Sequence, residues 1–66
     1  FDILSDAAFP GQWRVVGPKI ERAAAMTSWD YYEAVARFQR IMEAMGISAE
    51  LERRGAEQGD LVMIGD

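Results

Sequence analysis

Apolar residues alternate near the start of this chain, fall at helical spacing through its middle and form a run of four near its end. Phe1, Ile3 and Leu4 form a short apolar group before the loop SDAAFPGQ, whose Pro10-Gly11 pair is a strong turn signal. WRVV follows, with Trp13 and Val15 on one face and Arg14 on the other, so residues 1–16 read as a β-hairpin with a long loop. Gly17-Pro18 ends that strand, since proline has no N–H for a ladder and its fixed φ suits the first turn of a helix. The helix expected next is KIERAAAMT, with Ile20, Ala23, Ala24 and Thr27 at the spacing of a buried stripe. It is short and depends on packing.

TSWDYYEAVARFQRIMEAMG carries the clearest helical signal. Thr27 or Ser28 is the expected cap, with Asp30 in the capping-box position, and Tyr31, Ala34, Val35, Phe38, Ile41, Met42 and Met45 form the core stripe. Glu33 and Arg37 are placed for an i, i+4 pair, and Gly46 supplies the stop. Ser48 is the expected cap of a last helix, AELERRG, with Arg53 and Arg54 in its final turn, where the helix dipole favours positive charge. AEQGD turns the chain into the strand LVMI, and Gly65-Asp66 is a second turn signal. The order is ββαααβ. It predicts one α+β domain over residues 1–66, with three helices packed on one face of a small antiparallel or mixed sheet of about three strands.

Composition narrows what such a domain does. A chain of 66 residues buries only about 60% of its unfolded surface, so stability is marginal and gains from a neighbour. There is no Cys and no His, which removes disulfides, the usual zinc ligands and Ser-His-Asp catalysis. The net charge of −4 argues against a general nucleic-acid binder. No apolar run approaches the roughly 18 residues of a membrane span, and residues 1–10 lack the pattern of a signal peptide, so a soluble protein is expected. The start at Phe1 places the expected natural N-terminus upstream.

Candidate chemistry is sparse. No G-x-x-x-x-G-K-[ST] loop occurs, and the six glycines fall at turns and caps. The eleven acids are scattered as a solvated surface, and Glu57 with Asp60 reads as turn chemistry. Arg37, Arg40, Arg53 and Arg54 form a candidate partner surface, as an RNA-phosphate contact or as ordinary pairing with Glu33, Glu43 and Glu50. The four Met read as adaptable core filling. Trp29 either staples the long helix to the sheet or stands exposed for a partner.

Three blocks carry a resemblance: WRVVGPKIERAAAMTSW, RFQRIMEAMGI and LERRGAEQGDLVMIGD. Together they resemble the C-terminal domain of the Obg family of GTPases, along essentially all of residues 1–66, and MTSW is most similar to chloroplast or cyanobacterial members. The resemblance implies a parent that binds GTP with Mg²⁺ outside this chain and works with the large ribosomal subunit in assembly and stress signalling. It implies a cytoplasmic or chloroplast-stromal location. No catalytic, cofactor-binding or metal-binding residue is carried over to this chain. The implied role is regulatory and docking, with the G domain of the same chain and the ribosome as partners.

In that family the final Gly-acid pair turns into a further strand with alternating aromatics, which this sequence does not contain. Leu61, Val62, Met63 and Ile64 are therefore expected to present an open sheet edge, prone to self-association or strand addition. The alternative function is a free-standing binding or dimerisation module that completes its sheet with a partner strand.

Overall fold

The computed structural model of the chain describes residues 1–65. Its elements are β1 (Asp2–Ser5), β2 (Gln12–Val16), α1 (Pro18–Ala25), α2 (Tyr32–Ala44), α3 (Ile47–Arg53) and β3 (Leu61–Ile64). β1 and β2 form the expected antiparallel hairpin, with Ile3 opposite Val15 and Ser5 opposite Trp13. β3 lies on the other side of β2 and runs parallel to it, Val62 opposite Trp13 and Ile64 opposite Val15. A parallel neighbour requires a crossover, which the three helices supply. The fold is α+β with a mixed three-stranded sheet.

Alternation along the strands decides what faces the helices. Ile3 and Val15 point into a core completed by Ile20, Phe38, Ile47 and Leu51, with Trp13, Val62 and Ile64 packed against it. Val15, Ile20 and Ile47 are fully buried, each worth about 1.5–3 kcal/mol relative to exposure. The opposite face carries the cross-strand row Leu4, Arg14, Met63. Arg14 spans that face, its guanidinium donating to the Gly65 carbonyl and to Met63 Sδ.

Gly17 lets the sheet hand over to α1. Its φ of 151° is open to glycine alone at low cost, and a Cβ there would lie 3.1 Å from the Phe1 backbone. Pro18 opens the helix as expected, and Glu21 reaches back so that its carboxylate accepts the Gly17 N–H at 2.8 Å. The carboxylate thus satisfies the amide of the capping residue from one turn into the helix.

The second helix begins later than the sequence suggests. Neither Thr27 nor Ser28 caps it: α2 starts at Tyr32, and its capping residue Tyr31 makes no side-chain bond. The Thr27 hydroxyl donates instead to the Ala23 carbonyl at 2.7 Å, closing the end of α1, and Tyr31 N–H closes a turn on the Ser28 carbonyl. The chain needs residues 26–31 to reverse between the two helices. Tyr31 is consequently 69% exposed rather than part of the core, while Phe38 sits at the stripe's centre at 4%.

Three further corrections fall at helix ends and surfaces. Gly46, in the left-handed region at φ 82°, follows the end of α2 and also caps α3, so Ser48 lies inside α3 and caps nothing. Glu33 and Arg37 form no ion pair; among the described residues the ion pairs are those of Arg53 and Arg54 with Glu50. Met42 and Met45 fill around the core as expected, but Met26 is 80% exposed. Asp66, the second residue of the final turn signal, lies outside the described residues.

Candidate functional site

The strand β3 is one outer edge of the sheet and has no further strand beside it among the described residues. Leu61–Ile64 thus offers backbone N–H and C=O groups of the kind that pair with an added strand. Its inner edge is firmly set: the Leu61 N–H donates to the Gly11 carbonyl and the Gly65 N–H to the Val15 carbonyl, both at 2.8 Å.

Asp60 fixes where that strand begins. Its Oδ2 accepts the Trp13 indole N–H at 3.0 Å and the Glu57 backbone N–H at 2.9 Å. The Glu57 amide, and after it the indole, hold the Asp60 carboxyl below its ordinary value by stabilising the charged form. The acidic pair at 57 and 60 is turn chemistry, with a clasp to β2 that residue spacing alone does not reveal.

The four arginines divide. Arg53 and Arg54 both donate to Glu50, and Arg54 also donates to the Ile3 carbonyl at 3.1 Å, tying the end of α3 to β1. These two guanidinium groups, Arg53 first, hold the Glu50 carboxyl down at about 2. Arg40 is exposed on α2. Arg37 lies with a different set of cations.

That set lines a groove of about 370 Å³ between α1 and α2. Lys19, Arg22, Ala23 and Met26 come from the α1 side, and Ala34, Arg37, Phe38 and Ile41 from α2. Both quartets repeat the i, i+3, i+4, i+7 spacing of a single helical face. The signal was therefore present in the sequence, but only the packing of the two helices places the quartets opposite each other. Trp29 stands beside this corner, 53% exposed, with its ring edge-on to Phe38 at 5.0 Å between centroids. It also shares a shallow depression with Val62 and Ile64, so it neither docks fully on the sheet nor stands free.

These features define a helix-on-sheet module in which Asp60, Glu21, Thr27, Glu50, Arg53 and Arg54 are engaged in turns, clasps and surface pairs. Among the described residues no group of three or more Asp or Glu is gathered as a metal site, and no helix is long and apolar enough to cross a membrane. Comparison with known proteins places the module. Residues 1–66 match the family described as a domain of unknown function (DUF1967), and the chain belongs to that family, the C-terminal domain of Obg proteins.

Curated relatives agree. The chain is 42% identical over all 66 residues to "Probable GTP-binding protein OBGC1, chloroplastic" of Oryza sativa subsp. indica, covering 9% of that protein. It is 46% identical over 66 residues to "GTPase Obg" of Desulforamulus reducens, covering 15% of it. It is 48% identical over 58 residues, 88% of this chain, to "GTPase Obg" of Symbiobacterium thermophilum, covering 14% of that protein. The chain thus spans a small fraction of the relatives it matches. No solved structure matches it. The residues present here do not fit GTP or Mg²⁺: the glycines serve turns and caps, and the acids are dispersed or hydrogen-bonded within their own turns.

Proposed function

We propose that this chain is one domain of a longer Obg-like GTPase and serves it as a non-catalytic regulatory and docking domain. GTP and Mg²⁺ are bound elsewhere in that parent, whose work is in large-ribosomal-subunit assembly or stress signalling. The observation that carries this reading is the whole-length match to proteins named as a probable GTP-binding protein and as a GTPase, made by a sequence with no G-x-x-x-x-G-K-[ST] loop. A location in the cytoplasm, or in the plastid stroma, goes with it, the latter supported by the relative named as chloroplastic.

Regulation by such a domain is a coupling free energy: the domain contacts the G domain or the ribosome differently in two nucleotide states. Arg37, Arg40, Arg53 and Arg54 are proposed as contact residues. Arg53 and Arg54 already share Glu50, which leaves Arg37 and Arg40 with more to offer a partner. Deleting residues 1–66 from the parent tests the reading. GTP turnover or cosedimentation with the large subunit changes if the domain regulates or docks; if neither changes, the reading fails.

One observation favours a second reading, a module that completes its sheet through a partner strand or a second copy: the outer edge of Leu61–Ile64. Sedimentation at high concentration tests it. A concentration-dependent dimer, abolished by proline at Val62, supports strand addition, and a monodisperse monomer removes self-association.

A further inference from the structure

The chain has a net charge of −4, with seven cations against eleven acids, yet three of those cations meet on one groove. Lys19 and Arg22 line it from α1 and Arg37 from α2, and no acidic residue lines it. Among the described residues none of the three takes part in an ion pair. The remaining lining is mostly apolar: Ala23 and Ala34 are small, Ile41 and Phe38 belong to the core or pack on it, and Met26 stands exposed at the edge.

From this arrangement we infer that the α1–α2 groove docks an acidic amphipathic helix from a protein partner. Helices entering grooves place apolar anchors at i, i+3, i+4 and i+7, and the matching quartets on α1 and α2 present that periodicity from both walls. Leu-type anchors would displace water from the apolar floor, while Glu or Asp along the flanks would meet Lys19, Arg22 and Arg37. The unbranched Met26 side chain adapts to whatever anchor it meets. The lysine and arginine stems extend the apolar wall while their charged heads remain in water.

A single-stranded RNA is the competing occupant, because cations also suit phosphates. Binding of that class relies on aromatic faces for base stacking. Among the described residues Phe38 is the only aromatic lining the groove, and it is buried with its ring against Trp29; the exposed Tyr31 and Tyr32 line the neighbouring depression that shares Ala34 and Arg37. The groove floor itself gives bases no ring to stack on but gives aliphatic anchors a surface, and RNA stacked on Tyr31 and Tyr32 beside Arg37 is the outcome that the oligouridine arm of the test reads. This inference rests on the docking reading above and names a surface and a partner chemistry for it.

The test is a titration of the ¹⁵N-labelled chain with a short synthetic amphipathic peptide bearing Glu on one face and Leu on the other, in parallel with oligouridine. Amide shifts on both walls of the groove, from α1 and the first half of α2, are expected from the peptide. The triple variant K19E/R22E/R37E should weaken peptide binding by at least about tenfold, since the reversed charges repel the flanks. Gln39→Glu, exposed on the same helix but outside the groove, should change it by less than about twofold. Absence of peptide binding, shifts confined to other residues, or equal affinity of the triple variant would overturn the inference. Tighter binding of oligouridine at the same amides would overturn it too. None of these results alters the effect of the domain on GTP turnover in the parent, so the two readings fail separately.

Discussion

The seam between β2 and β3 and the corner between α1 and α2 lie in one small molecule but are built on opposite principles. At the seam, Asp60 clasps Trp13, Arg14 reaches Gly65 and Met63, and Glu21 caps Gly17, all beside fully buried Val15 and Ile20. At the corner, backbone turns and the Thr27 hydroxyl hold the chain while Met26, Trp29, Tyr31 and Tyr32 face solvent. The contrast separates residues that hold the fold from residues available to a partner. Polar groups at the seam are satisfied within the molecule, whereas apolar and cationic groups at the corner find no equivalent cover.

The sharpest way to break that contrast is a cavity at the seam's base. Ile20→Ala should cost about 3 kcal/mol, read as a lower urea midpoint, because a fully buried branched side chain leaves a void when truncated. A loss no larger than that of a surface change would mean the core is loosely packed there. Gly17→Ala comes next, at about 2 kcal/mol, from an unfavourable φ and the close Phe1 backbone.

Acid should weaken both the seam and the end of α3. The Asp60 carboxyl is lowered in the folded state, so its stabilisation is complete above the ordinary aspartate range and is lost as pH falls through the folded value. Glu50 behaves the same way, its contribution complete above its ordinary value of 4.5 and lost as pH falls through about 2. The Trp13 emission of a Trp29→Phe variant should therefore change on acidification, and Asp60→Asn should blunt that change. An identical acid profile in both proteins would remove the clasp. The smallest effect belongs to the corner: Tyr32, 85% exposed, should tolerate Tyr32→Ser within about 0.5 kcal/mol by urea denaturation. A greater loss would show that the corner supports the fold after all.

Local signals in the chain were read with unequal success. Pro18 at the start of α1, Gly46 after α2 and the stripe centred on Phe38 all act through neighbours within a turn or two, so their roles were legible. The expected cap at Thr27 or Ser28 failed for a reason equally physical. A hydroxyl there serves either the end of one helix or the start of the next, and the packing of α1 on the sheet determines which. For the candidate surfaces, the arginines and a pairing with Glu50 were visible by residue type and spacing, but the grouping of Arg37 with Lys19 and Arg22 was not.

By itself, the sequence determined the order ββαααβ, the inward face of β2 and the buried stripe of α2 around Phe38, because side-chain periodicity encodes burial before any contact forms. Tertiary structure decided that β3 runs parallel to β2, that Asp60 meets Trp13 across 47 residues, and that three cations converge on one groove. Strand direction and long-range pairing depend on where three packed helices return the chain, a geometry set jointly by all the elements.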